Sequence, residues 1–149
     1  MSSASIKKII PCNKKQLIDL VLDIEKYPEF VPWCLQGKIH KKVESDDMTE
    51  IKADLKVGKR LLNETYSSLV VHYKEKNKIL VTNIDGPLKY LKNEWRFKEV
   101  NNSTILEFYI DFELKNNLFN IILKNYFNFG LKKIADAFEK RAIYLYKKS

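Results

Sequence analysis

From Asn117 to Lys148 the chain runs without a proline, and its apolar residues keep to one stripe. Leu123, Phe127, Leu131, Ile134, Phe138, Ala142 and Leu145 are spaced 4, 4, 3, 4, 4 and 3 apart, which is the 3.6-residue period of an α-helix. The spacing predicts one helix over 117–148. A helix of about thirty residues spans roughly 45 Å, more than the width of a small sheet. The segments before it alternate as antiparallel strands do. A single-layer sheet must have its apolar face covered, and only this helix is long enough to cover it. The predicted class is therefore α+β, a curved antiparallel sheet wrapped around a long C-terminal helix, with the 149 residues forming one domain over 1–149.

Ser5 to Ile10 reads as a first strand stopped by Pro11. Asn13 precedes Gln16 by three residues, a capping-box signature that opens a short amphipathic helix over 14–23. Ile39 to Val43 is a weak strand. Thr49 to Val57 puts Ile51, Ala53, Leu55 and Val57 on one face, and Leu61 to Tyr73 is read with Thr65, Ser67, Leu69, Val71 and Tyr73 inward. Lys78 to Ile84 follows. Lys89 to Val100 carries Leu91, Asn93, Trp95 and Phe97 inward, and Ser103 to Lys115 carries Leu106, Phe108, Ile110, Phe112 and Leu114 inward. Short connections after residue 44 predict a meander of hairpins, seven strands in all with the first.

Two stretches exceed what this plan needs. Tyr27-Pro28-Glu29-Phe30-Val31-Pro32-Trp33-Cys34 is an aromatic loop whose prolines forbid a regular long helix. Such a loop is either a plug tucked against the core or the mouth of a pocket. The front of the long helix has a second apolar stripe, Leu118, Ile122, Tyr126 and Phe129, and Gly130 there permits a bend or a close backbone approach. A helix lying on a sheet needs only one apolar face. The second must meet the aromatic loop, another subunit, a membrane surface or a greasy ligand.

Residues suited to catalysis are sparse. Four glycines, Gly37, Gly58, Gly86 and Gly130, leave no phosphate-binding glycine loop. Cys12, Cys34, His40 and His72 are scattered without metal-ligand spacing, so no metal site is predicted and the thiols are expected reduced and inert. His72 is expected on the outer face of its strand, and Asp111, Glu113 and Glu94 on solvated faces. Asp136 and Glu139 are expected to face water from the back of the long helix. Asn93 is the one inward polar candidate, with a structural hydrogen bond as its expected role. No nucleophile–base pair assembles, which predicts a binding protein rather than an enzyme. No stretch of about 18 apolar residues is present, and the opening MSSASIKKII lacks the features of a signal peptide. The expected location is the cytoplasm, with peripheral contact at the inner face of the membrane. The formal charge of +8 favours RNA, anionic lipid or an acidic protein. All but Arg60, Arg96 and Arg141 of the 27 basic residues are lysines. Arginine forks are the usual readers of base sequence, so DNA is not an expected partner.

Three motifs add to this reading: YPEFVPWC at 27–34, GPLKYLKNEWRF at 86–97 and AFEKRA at 137–142. With them the chain resembles the coenzyme Q-binding protein COQ10 and ribosome association toxin RatA family, of the START-like, polyketide cyclase/lipid transport superfamily. The resemblance implies a helix-grip fold with a hydrophobic cavity between sheet and helix, and a lid that includes Tyr27, Phe30 and Trp33. It implies ubiquinone or a similar prenyl lipid as bound ligand, with no catalytic cofactor. The expected lining is Leu69, Val71, Trp95, Leu106, Phe108, Ile110, Phe127 and Leu131. The family's other role, association with the large ribosomal subunit, is the alternative, and a cyclase or aromatase activity on the same fold is a third.

Overall fold

The computed structural model describes residues 2–59, 61–124 and 126–146, with the backbone alone at Ser2, Phe119 and 122–124. Strand β1 (Ser2–Ile10) leads through Pro11 into helix α1 (Lys14–Leu22). The capping box is present: the Gln16 N–H donates to Asn13 Oδ1 at 2.8 Å and the Asn13 N–H to Gln16 Oε1 at 3.0 Å. A 3₁₀ turn, Ile24–Glu29, carries the chain into β2 (Cys34–Glu44). Then come β3 (Met48–Lys59), β4 (Leu62–Tyr73), β5 (Lys78–Asp85), β6 (Leu88–Val100) and β7 (Ser103–Leu114).

All neighbours pair antiparallel in the order β1-β7-β6-β5-β4-β3-β2. The predicted meander is what forms, with β1 closing beside β7. The weak strand at 39–43 is the middle of a longer one, whose pairing with β3 slips twice, between Cys34 and Gln36 and between Ile39 and Lys41. β2 is the outermost strand at its side, and Lys38, Lys41 and Lys42 stand exposed along it.

The predicted single helix is two: α2 (Asn117–Lys124) and α3 (Phe127–Tyr146), with Tyr126 in a turn between them. The two are seated by different contacts. Asn120 clamps α2 to the end of β7, accepting from the Leu114 N–H and donating to the Leu114 carbonyl, both at 2.9 Å. α3 is held by its own buried face, Leu131, Ala135, Phe138 and Ala142. Asparagines at 120, 125 and 128 weaken helix propensity at the junction. The break lies ahead of Gly130, and neither a bend nor a close approach requires glycine there, since a Cβ would make an ordinary contact. A Cβ there would sit 3.6 Å from the Trp33 ring, which lies over it. Of the predicted stripe, Leu131, Phe138 and Ala142 are buried, Ile134 is half-buried and Leu145 is exposed. The Leu123 and Ile122 side chains lie outside the described residues.

The inward face of β4 is also corrected. Val70 pairs with Ile51, Ser68 with Ala53 and Tyr66 with Leu55. Directly opposed residues share a face, so 66, 68, 70 and 72 point inward, while Thr65, Ser67, Leu69, Val71 and Tyr73 point out. The run Leu69-Val70-Val71 is apolar in both phases, so alternation alone does not fix it. The same shift turns His72 inward against Thr49 and Ile79. Its Nε2 is buried without a partner among the described residues, and burial pulls its pKa below the usual imidazole value.

The core lies between α1, the second half of α3 and one half of the sheet. Ile10, Leu17, Ile51, Ile79 and Phe138 are fully enclosed there. Lys8 on β1 fastens strand to helix, its Nζ 2.5 Å from Asp136 and 2.9 Å from Glu139. These two carboxylates were expected to face water and are instead half-buried partners of a lysine.

Candidate ligand site

An antiparallel meander has two ends. At one end lie the turns at 45–47, 74–77 and 101–102. At the other lie residues 61, 86–87 and 115–116 and the starts of α2 and α3. The first end is packed solid: Ile51, Val70, Ile79, Trp95, Phe97 and Leu106 are all buried. α1 reaches only that half, so toward the other end the cover thins. A second, smaller cluster forms there around Leu88, Leu91 and Phe112, with Phe127 half-buried on Phe112 at 5.2 Å between ring centroids. Val81 and Ile110 touch both clusters and are themselves half-buried, as are Leu55 and Tyr66. Inward apolar residues between the two clusters thus keep part of their surface accessible instead of being packed over. This is the candidate site.

Tyr66 is its polar group, and sequence reasoning missed it. The β5–β6 turn presses on it. Gly86 adopts a φ of +125°, and a Cβ there would fall 2.7 Å from Tyr66 Cβ, so only glycine fits. Burial pushes the Tyr66 phenol well above its usual range, with a smaller contribution from the nearby Cys34. The group therefore stays a neutral O–H. Among the described residues nothing hydrogen-bonds it, which leaves its donor free beside half-covered apolar side chains. With β4 in the right phase, Tyr66 follows from Val70 and Ser68 by counting in twos.

The expected lining residues separate into groups. Ile110 and Phe127 border the site. Trp95, Leu106, Phe108 and Leu131 belong to the packed core, with Trp95 edge-on to Phe108 at 4.6 Å and to Phe138 at 5.0 Å. Leu69 and Val71 stand on the opposite face of the sheet and do not line it. The aromatic loop divides. Tyr27 and Phe30 meet Phe138 edge-on at 5.4 and 5.1 Å, and the Tyr27 hydroxyl donates to the Val21 carbonyl, so both are plugs. Trp33, 39% exposed and at φ +62°, sits at the rim.

Asn93 has its structural role: it donates to the Tyr109 carbonyl at 2.9 Å and accepts from Trp95 Nε1 at 2.7 Å. On the outer face His40, Asp54 and Ser67 form a chain, His40 Nε2 2.7 Å from Asp54 Oδ2 and Ser67 Oγ donating to Oδ1 at 2.5 Å. The carboxylate stands between the other two, so the serine has no imidazole base. Ser67 first and His40 second hold the Asp54 carboxyl below its usual range. Cys12 and Cys34 are free and buried, and burial pushes the Cys12 thiol up to about 11, which keeps it protonated. Among the described residues no group of three or more His, Cys, Asp or Glu could hold a metal ion. Two hollows lie outside the grip. A groove of about 570 Å³ runs between the 3₁₀ turn and α3, walled by Phe30, Tyr144, Lys133, Lys140 and Arg141. A pocket of about 220 Å³ on the sheet's outer side is ringed by Lys76, Lys78, Arg96 and Lys98.

The profile of the family described as polyketide cyclase / dehydrase and lipid transport matches residues 10–139. Ribosome association toxin RatA of Rickettsia prowazekii is 35% identical over 145 residues, 95% of this chain and 97% of its own. Mitochondrial coenzyme Q-binding protein COQ10 of Dictyostelium discoideum is 34% identical over 134 residues, 88% of this chain and 64% of its own. The solution structure of an 18 kDa protein from Caulobacter crescentus superposes with a TM-score of 0.79 at 31% identity, covering 97% of this chain and 98% of that one. The Zhui aromatase/cyclase from Streptomyces superposes at 0.77 with 13% identity over 95% and 93% of the two chains, a likeness of fold alone. Seven curved antiparallel strands gripping a C-terminal helix, together with this profile and these relatives, make the chain a member of the START-like polyketide cyclase / dehydrase and lipid transport family, among its RatA and COQ10 homologues.

Proposed function

We propose that this protein binds an isoprenoid quinone of the ubiquinone type between the sheet and the α2–α3 junction, and supports its delivery or use in respiration. The observation that carries this reading is the half-covered apolar face formed by Leu55, Val81, Ile110 and Phe127, where the Tyr66 hydroxyl has no hydrogen-bond partner among the described residues. A prenyl chain is apolar throughout, and each buried methylene-sized unit contributes about 0.8 kcal/mol. A quinone ring offers carbonyl oxygens, which suit a neutral phenol donor. The COQ10 relative's name carries the same ligand. This reading needs a bilayer as second partner, since that is where such a lipid resides. Organic extraction of the purified protein followed by mass spectrometry is the test. A co-purified quinone or isoprenoid is expected; a clean extract, with no transfer of quinone from liposomes to protein, would remove the reading.

A second reading has its own support. The outer groove and pocket place Lys133, Lys140, Arg141, Lys76, Lys78 and Arg96 beside aromatic rings, and the RatA relative matches over nearly its whole length. Such surfaces suit RNA of the large ribosomal subunit. Co-sedimentation with large subunits that weakens steeply with salt is the expected signature, because each phosphate contact adds to the salt slope.

A further inference from the structure

Ile9, Val43 and Tyr144 are exposed elsewhere, but the open end carries a group of exposed apolar residues. The β3–β4 tip holds Leu61 and Leu62, 89% and 84% exposed. α2 displays Leu118 and Ile121, 62% and 67% exposed, and Tyr126 and Phe129 continue the surface into α3. These pieces are tied together through Trp33. Its carbonyl accepts from the Gly58 N–H at 2.8 Å beside the tip, and its ring covers Gly130 of α3. On the far side the Lys115 N–H donates to the Pro87 carbonyl at 2.9 Å, fixing the approach to α2 against the β5–β6 turn. The candidate site lies between these two sets of exposed aliphatic side chains.

Basic residues stand beside these apolar ones. Lys59 flanks the tip, and Lys115, Lys132 and Lys133 flank the helices. Among the described residues none of the four makes a salt bridge to a carboxylate, so their ammonium groups are available to an outside partner. Leucines ringed by unpaired lysines match an interface of acyl chains beneath anionic headgroups. Among the described residues no helix is long and apolar enough to cross a membrane, so such contact is with the surface.

We propose that the open end docks on an anionic lipid bilayer through two apolar prongs, the tip Leu61–Leu62 and the α2 face Leu118–Ile121, which straddle the site between them. The docking rests on the lipid-binding reading, since it aims the site at the layer that holds its ligand. The tip enters as a hairpin end whose strands are already paired, and α2 lies along the interface held by Asn120. Lys59, Lys115, Lys132 and Lys133 take the headgroups.

The test is co-sedimentation of the full chain with phosphatidylcholine vesicles, with and without about a quarter of phosphatidylglycerol. The wild type is expected to pellet with the anionic vesicles and to be released by salt. L61S/L62S and L118S/I121S are each expected to lower the partition about tenfold or more, with unchanged melting temperature. Both variants are expected to take up ubiquinone from detergent micelles as the wild type does. Wild-type protein that stays in the supernatant, or pairs of substitutions that pellet normally, would overturn the docking. So would a wild-type dimer that either pair dissolves, because a second copy would then cover the face. Failure is separable from failure of the lipid-binding reading: uptake from micelles without vesicle binding overturns the docking alone, and vesicle binding without uptake overturns the ligand alone.

Discussion

The two halves of the inward sheet face are built from the same residue types and do opposite things. At the end capped by α1, Ile51, Val70, Ile79, Trp95 and Phe97 are buried to the last few per cent, and Phe138 fills the middle against three aromatic rings. At the other end Leu55, Val81, Ile110 and Phe127 are just as apolar but only half-covered. The difference lies in the cover. α1 and the back of α3 bring Leu17, Ile18, Leu20, Val21 and Ala142 to one half. The other half receives α2, clamped to β7 through Asn120, and a helix junction. One half supplies stability, and the other trades it for access.

The contrast is broken or sharpened most strongly by truncating one ring in each half. Phe138→Ala opens a cavity in the packed end and should destabilise by about 3–5 kcal/mol, read as a fall in Tm of roughly 10 °C. Phe127→Ala should lower stability by only about 1–2 kcal/mol while weakening quinone binding. Equal losses at the two positions would mean both ends are packed alike.

A step down in size is the Lys8 clasp, which belongs to the packed half. Hydrogen bonds to Asp136 first, then Glu139, raise the Lys8 pKa above 10.5, and Lys8 holds the Asp136 carboxyl below its usual 3.8. The raised lysine contributes stability that is full below its ordinary pKa and is lost as pH rises past it. The depressed carboxylate contributes stability present above about 3.8 and lost as pH falls below it. Lys8→Met should flatten the pH–stability curve at both extremes. An unchanged acid limb in thermal melts would show the clasp contributes nothing.

Smaller still is Tyr66→Phe, which belongs to the open half. Removing a hydroxyl with no protein partner should leave Tm unchanged or slightly higher. Losing one hydrogen bond of about 1 kcal/mol should weaken ubiquinone binding about fivefold in a tryptophan-quenching titration. A drop in Tm with unaltered affinity would make the hydroxyl structural. The least effect is expected from His72. Its lowered folded pKa means stability is full above 6.5 and declines as pH falls through the lowered value. A melt series from neutral to mildly acidic pH should show that slope, and His72→Leu should remove it.

What the sequence tells of this molecule depends on how many constraints act at each position. β6 and β7 alternate strictly, so their inward rows are readable, Asn93 included. Asn13 and Gln16 announce α1. β4 is opaque at Leu69-Val70-Val71, where both phases look buried, and that one-residue ambiguity hid Tyr66 and misplaced His72. The helix break is equally hidden, because apolar periodicity continues through 117–131 while the clamp that ends α2's freedom, Asn120 on Leu114, reaches back to another element. The aromatic loop is visible as an anomaly, but its division into two plugs and a rim residue depends on the left-handed turn at Trp33.

The register slips in β2 reach beyond the strand itself. A foreign chain laid alongside would lose its hydrogen-bond partners within a few residues, and would meet Lys38, Lys41 and Lys42 as it came. Molecules crowded side by side at high local density are thereby kept from zipping into continuous ribbons, and each remains free to leave with whatever it holds.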